Sequence, residues 1–213
     1  MISLLITYCA LVGLLTLLDA RLSLMQKGLV KMTSASIFVG IPAFHFQELN
    51  TFEMAIFAGL ATSWLGDLCL VWSGTGTRFK LGIFSFLLAH FAYAGAFLLK
   101  PLVLPTAVIL CIGLLVIAGM VYNRLRDDMS DGLKTPVRIY IVALVAMTAL
   151  AWSIDDDPAR LRFGLAATAF LISDISVAIQ RFGRHSQIHR LWGVPLYFGA
   201  QLGFALLITE HYL

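Results

Sequence analysis

The chain has 213 residues, 60% hydrophobic and 13% charged, with a mean hydropathy of +0.89. Soluble domains run near 45–50% apolar and about 25% charged, so one soluble core could not hide this much apolar surface, and disorder is excluded by the same arithmetic. What remains is a polytopic membrane protein with no room for a soluble catalytic or DNA-binding domain, and no nucleic-acid partner is expected. The net charge of +3 means little until the charges are placed along the chain.

The apolar runs predict eight membrane helices in a single domain, residues 1–213: about Ile2–Leu18, Met32–Phe46, Met54–Trp72, Phe79–Leu99, Leu102–Tyr122, Thr135–Trp152, Leu161–Ile179 and Leu191–Thr209. Each is near the roughly 20 residues that a helical span needs, and none alternates as a barrel strand would. The fold class is therefore all-α, a polytopic helix bundle. The N-terminal run has no basic n-region and is read as a retained first span. Span two is short and carries Pro42. Asp157-Pro158 reads as an N-cap followed by proline at the start of span seven. Cys9, Cys69 and Cys111 lie in apolar runs and suggest neither a disulfide framework nor a zinc cluster.

Arg21, Lys27, Lys31, Arg78, Lys80, Arg124, Arg126, Lys134, Arg138, Arg181, Arg184 and Arg190 all fall on one side of an eight-span arrangement. The positive-inside bias makes that side cytoplasmic and puts both termini outside. Trp72, Tyr122 and Trp192 fall near inner span ends and Trp152 near an outer one, as an aromatic belt would. Asp155, Asp156 and Asp157 read as a solvated outer loop. Ser73-Gly74-Thr75-Gly76-Thr77 lacks the lysine and preceding strand of a phosphate loop and reads as a turn.

Leu65-Gly66-Asp67-Leu68 parallels Ile172-Ser173-Asp174-Ile175, which suggests a parallel repeat of residues 1–105 and 106–213. Asp67 and Asp174 carry most of the chemical signal. A charge at mid-membrane costs about 2.5–3.5 kcal/mol on insertion scales. Both aspartates fall five to seven residues from inner span ends, roughly 8–10 Å deep at 1.5 Å per residue. Two carboxylates at one depth in a poorly solvated place should not both ionise, which yields an acid beside a base. Ion or proton coupling, or simple helix-to-helix bonding, are the alternatives. His90 and Tyr93 share a face of span four, Tyr140 lies near the inner end of span six, and Tyr197 and Gln201 share a face of span eight. Lys27 and Lys31 flank the inner end of span two. His45 falls near the opposite face, and His185 and His189 fall in a basic loop, so no metal site is expected.

Ser63-Trp64-Leu65-Gly66-Asp67, followed by Leu81-Gly82-Ile83-Phe84-Ser85-Phe86-Leu87-Leu88-Ala89-His90-Phe91-Ala92-Tyr93, resembles the central signature of the YhhN-like lysoplasmalogenases. Pro136-Val137-Arg138-Ile139-Tyr140 running to Met147 is similar to that family's sixth span. Ala169-Phe170-Leu171-Ile172-Ser173-Asp174 with Arg181-Phe182 resembles its seventh, and Tyr197 with Gln201 its eighth. The family usually shows Lys-Pro before span two, whereas here Gly28 follows Lys27 and Met32 follows Lys31.

The resemblance implies hydrolysis of the vinyl ether bond of lysoplasmalogens to a fatty aldehyde and a glycerophospho-head group, with a lysophospholipid substrate and no cofactor. It implies a multi-pass protein among the lipids of a bacterial inner (cell) membrane. Asp67 and Asp174 would be the acid–carboxylate pair that an oxocarbenium ion requires. His90, Tyr93, Tyr140, Tyr197 and Gln201 would orient water, the ether oxygen or the aspartates. Lys27 and Lys31 would hold the head-group phosphate. The alternative from another class is a proton-coupled small-molecule or lipid transporter built on the same two aspartates. An intramembrane aspartyl protease also uses two membrane aspartates, but Trp64-Leu65-Gly66-Asp67 is not G-x-G-D. The residues alone do not separate vinyl ether from ester or amide bonds.

Overall fold

The computed structural model describes residues 2–71, 76–183 and 187–212. Trp72, Ser73, Gly74 and Thr75, and with them most of the glycine–threonine turn, lie outside the described residues, as do Arg184 and His185.

Eight α-helices occur among the described residues: α1 (Ile2–Leu17), α2 (Leu24–Ala43), α3 (Thr51–Val71), α4 (Thr77–Leu98), α5 (Leu104–Leu125), α6 (Asp131–Ala151), α7 (Asp157–Phe182) and α8 (Gln187–Leu207). Each predicted apolar run became a helix, because a chain in lipid must satisfy its backbone within the segment. Five of them, α3 to α7, are long and apolar enough to cross a membrane, and α1 is apolar but shorter. α2 and α8 fall short of that apolarity, since they carry Lys27, Lys31, His189, Arg190 and Gln201.

Three local starts differ from the expectation. α2 begins at Leu24, not near Met32, because Ser23 and Gln26 form a capping box. The Ser23 hydroxyl accepts from the Gln26 amide (3.3 Å) and the Gln26 side chain accepts from the Ser23 amide (2.9 Å). Lys27 and Lys31 therefore lie inside a helix and do not flank one. α7 takes Asp156 as its N-cap and starts at Asp157, one residue before the expected position, with Pro158 in its first turn. His189 lies in the first turn of α8 and not in a loop, with its carbonyl accepting from the Ser176 hydroxyl of α7 at 2.5 Å. Asn50 and Glu53 form a second reciprocal cap at the start of α3, at 3.1 and 2.9 Å. Gly76, with φ of +144°, leads into α4 in a backbone conformation that side-chain-bearing residues rarely adopt.

α4 packs on α3 and α6, α7 on α8 and α6, and α8 also meets α1, α2 and α3. Small residues let α3 and α4 approach closely. A Cβ on Gly66 would come within 2.7 Å of the Phe86 ring, and one on Gly59 within 2.3 Å of the Tyr93 ring. At the expected outer end, Leu102 and Ile154 form a single antiparallel bridge, with the Val103 amide on the Ser153 carbonyl and the Asp155 amide on the Pro101 carbonyl. α5 packs on α6 and touches α7. The rest of α5 faces outward and is apolar, with Ile109 69% exposed, a surface that water would not support and lipid would.

The core is strongly aromatic. Phe170, fully buried, meets the rings of His90 (4.9 Å between centroids) and Tyr197 (5.5 Å). Tyr93 lies against Phe204 at 4.7 Å, and His90 meets Tyr140 edge-on at 4.8 Å. Those contacts hold the polar side chains of α4, α6 and α8 in place around one region of the bundle.

Candidate active site

Asp67 lies on α3 with its side chain 2% exposed. Tyr197 of α8 donates its hydroxyl to Asp67 Oδ2 at 2.6 Å. Lys31 of α2 places its ammonium 2.9 Å from Oδ1. An ammonium at that distance compensates a carboxylate that would otherwise be unsupported in the membrane interior. Behind Tyr197, the Gln201 amide donates to the tyrosine oxygen at 3.3 Å, and the Gln201 carbonyl accepts from the Tyr93 hydroxyl at 2.7 Å. Four helices therefore contribute to one chain of polar contacts that ends on Asp67.

Asp174 lies on α7 with its side chain 13% exposed. The Tyr140 hydroxyl of α6 donates to its Oδ2 at 2.7 Å. His90 Nε2 lies 3.6 Å from the same oxygen and has no hydrogen-bond partner among the described residues. On the other side of that ring, Nδ1 is 2.6 Å from the Phe86 carbonyl oxygen. A carbonyl only accepts, so Nδ1 must carry the proton, and in the neutral ring Nε2 presents its lone pair toward Asp174. Asp174 is thus faced by a tyrosine hydroxyl and an imidazole nitrogen.

Both aspartates, with Lys31, Tyr140 and Tyr197, line one cavity of about 270 Å³. Its remaining wall is mostly apolar and comes from α3 to α8, including Phe79, Ile83, Ile117, Val121, Leu144 and Leu171. Two acids facing an apolar slot suit a ligand that is itself mostly apolar, with a reactive group at one point. No group of three or more His, Cys, Asp or Glu side chains capable of holding a metal ion occurs among the described residues.

The structure thus brings together most of the residues singled out from the sequence, but in unequal roles. Asp67, Asp174, Lys31, Tyr140 and Tyr197 reach the cavity. His90, Tyr93 and Gln201 are fully buried behind them. Lys27 is half-buried and is not among the lining residues. Lys31 contacts an aspartate directly, a role that its expected place at the surface did not suggest. Arg181, which marked only topology and family likeness in the sequence, also lines the cavity. The seven-residue spacing from Asp174 could have revealed it, since that spacing returns to the same helix face. Phe86, whose carbonyl sets the His90 tautomer, left no comparable signal, because any residue supplies a carbonyl. His45 lies apart from this site, stacked on Tyr212 at 5.1 Å and 3.2 Å from Glu48.

The sequence model of the YhhN family matches residues 26–208. "Lysoplasmalogenase TMEM86A" of Bos taurus is 27% identical over 165 residues, and its counterpart from Homo sapiens is 32% identical over 162. Each match takes in 73% of this chain and 65% of the relative. The chain therefore aligns with somewhat less than two thirds of the curated relatives' length. No solved structure matches the chain significantly.

Proposed function

Because this chain belongs to the YhhN family, and its similar relatives are named lysoplasmalogenases, we propose that it hydrolyses the vinyl ether bond of lysoplasmalogens. The observation that carries this reading is that Asp67 and Asp174, far apart in sequence, open onto one apolar cavity and each accept from a tyrosine.

An enol ether hydrolyses by protonation at its β-carbon. The resulting oxocarbenium ion takes water at the α-carbon, and the hemiacetal collapses to an aldehyde and an alcohol. Atoms balance with one water consumed, and no redox partner is needed. The reaction requires an acid at one carbon and negative charge beside the developing cation. The neighbours of the two aspartates support a division of labour. Asp67, beside the Lys31 ammonium, suits the anion that faces the oxocarbenium ion. Asp174, between Tyr140 and the His90 lone pair, suits the group that delivers the proton and recovers it from the attacking water. The products are a fatty aldehyde and a glycerophospho-head group. Substrate would reach the cavity from within the bilayer, its single chain lying along the apolar wall of α5 and α6. Transport is not favoured, since the named relatives are hydrolases.

The test is incubation of purified protein with lysoplasmenylethanolamine beside its alkyl-ether and acyl analogues, in detergent and without any gradient. Aldehyde from the vinyl ether alone is the expected result. Fatty acid from the acyl analogue would instead make the protein an esterase, and no product from any of the three would remove the hydrolase reading.

A further inference from the structure

Tyr93, Gln201 and Tyr197 form a line of hydrogen bonds whose direction follows from its end on Asp67. With the Lys31 ammonium 2.9 Å from Oδ1, the Asp67 carboxylate is the acceptor at that end. The single hydroxyl hydrogen of Tyr197 is therefore spent on Oδ2 at 2.6 Å. The Tyr197 oxygen can then only accept from Gln201 at 3.3 Å, which turns Nε2 toward Tyr197 and Oε1 toward Tyr93. Oε1 accepts the Tyr93 hydroxyl at 2.7 Å. Three successive bonds point their hydrogens the same way, toward one carboxylate. Tyr93 and Gln201 are fully buried, and neither is among the residues lining the cavity.

Asp174 is served differently. The step of 107 residues that separates Asp67 from Asp174 also separates His90 from Tyr197 and Ala94 from Gln201. Each aspartate meets the partner carried by the other half of the chain, Tyr197 at Asp67 and His90 at Asp174. One turn beyond Tyr197 stands an amide that gives it a hydrogen. One turn beyond His90 stands Ala94, which has none to give, and the Phe86 carbonyl holds the ring instead. One partner is made a donor and the other an acceptor.

We propose that Gln201 is a positioning residue for Asp67: its amide commits the Tyr197 hydroxyl to that carboxylate and so fixes Asp67, and not Asp174, as the anion of the pair. The assignment deepens the hydrolase reading above and rests on it for the reaction. An amide turned end for end would accept from Tyr197 and leave Asp67 Oδ2 without its donor. The Tyr93 hydrogen on Oε1 holds the amide the right way round, and each bond in such a chain polarises the next.

The test uses the full chain in detergent and steady-state aldehyde release from lysoplasmenylethanolamine. The proteins are wild type, Gln201→Met, Tyr197→Phe, their double variant and Tyr93→Phe. Gln201→Met keeps the side chain's length and removes both bonds. Its kcat is expected to fall about threefold to tenfold, the size of one neutral hydrogen bond, with KM at the wild-type level. In the Tyr197→Phe background the same substitution should lower kcat no further, since the bond it supports is already gone. Tyr93→Phe should lower kcat by a smaller factor, and it tests the same line should Gln201→Met fail to fold. A raised KM in Gln201→Met would make Gln201 a substrate contact. Losses that multiply in the double variant would make its role independent of Tyr197, as mere packing would, and an unchanged kcat would leave it no role. Each of these results overturns the assignment. A readout without turnover separates it from the hydrolase reading. The infrared carboxylate band that disappears in Asp67→Asn should shift in Gln201→Met. That shift in a protein whose wild type releases no aldehyde refutes the hydrolase and not the positioning of Asp67. Aldehyde release with neither a shift nor a change in kcat in Gln201→Met refutes the positioning role and not the hydrolase.

Discussion

The Tyr197 hydroxyl donates to Asp67 Oδ2 at 2.6 Å across 130 residues of chain. It draws α8 to α3, and a hydrogen bond to a carboxylate of this kind is worth about 1.5–3 kcal/mol. Tyr197→Phe keeps the ring and its packing against Phe170 and removes the hydroxyl, which is both the donor to Asp67 and the acceptor for the Gln201 amide. Aldehyde release should fall about tenfold or more by that magnitude, with kcat reduced more than KM. A change confined to KM would show that Tyr197 holds substrate and does not act on Asp67.

Removal of either acid should be far more damaging. Asp67→Asn and Asp174→Asn each replace an oxygen acid or base with an amide that can be neither, and general acid–base groups are worth about 10²–10⁴-fold in rate. Both variants should still enter the membrane and elute as wild type does, with aldehyde release at background. Near-normal turnover in either would end the paired-acid mechanism.

Lys31 and Lys27 should behave differently despite lying one turn apart on α2. Lys31→Met leaves Asp67 without its ammonium, and breaking a buried ion pair from one side costs about 3–5 kcal/mol. The Lys31 side chain is 27% exposed, so the loss belongs at or below the lower end of that range. The melting temperature in detergent should drop for Lys31→Met and recover in Lys31→Met/Asp67→Asn, where the orphaned charge is gone. Lys27→Met should change activity much less than Lys31→Met does. Equal loss of activity in the two would return both lysines to the head-group role that the sequence suggested.

The close approach of α3 and α4 offers a test away from the acids. Gly66→Ala would put a methyl 2.7 Å from the Phe86 ring, and overpacking of this kind costs about 1–3 kcal/mol. Phe86 also supplies the carbonyl that holds His90 Nδ1. Gly66→Ala should therefore lower both thermal stability and activity, whereas Gly113→Ala on α5, where a Cβ meets nothing within 4 Å, should leave both near wild type. A normal melting temperature in Gly66→Ala would mean that the ring gives way without cost.

Much of this protein was legible without coordinates. Hydropathy alone divides the chain into eight apolar runs, and eight helices follow, because lipid admits few other ways of satisfying a backbone. Asp67 and Asp174 stood out for the same reason: a carboxylate is costly in that setting whatever surrounds it. Helix starts are less legible: α2 begins at Leu24 through the reciprocal Ser23–Gln26 capping box, a local pair of hydrogen bonds that hydropathy does not register, and α7 begins one residue earlier than Asp157-Pro158 suggests.

Partnership was decided only by the fold. The sequence places Tyr197, Tyr140, His90 and Lys31 at suitable depths in their helices. It does not say that Tyr197 and Lys31 turn to Asp67 while Tyr140 and His90 turn to Asp174. Depth follows from position along one helix, whereas pairing depends on which helix lies beside which and how each is rotated. Packing of side chains such as Phe86 into Gly66 and Phe170 between His90 and Tyr197 settles that arrangement. For the same reason Arg181, one basic residue among many in the sequence, became a cavity residue only when α7 was set against α4.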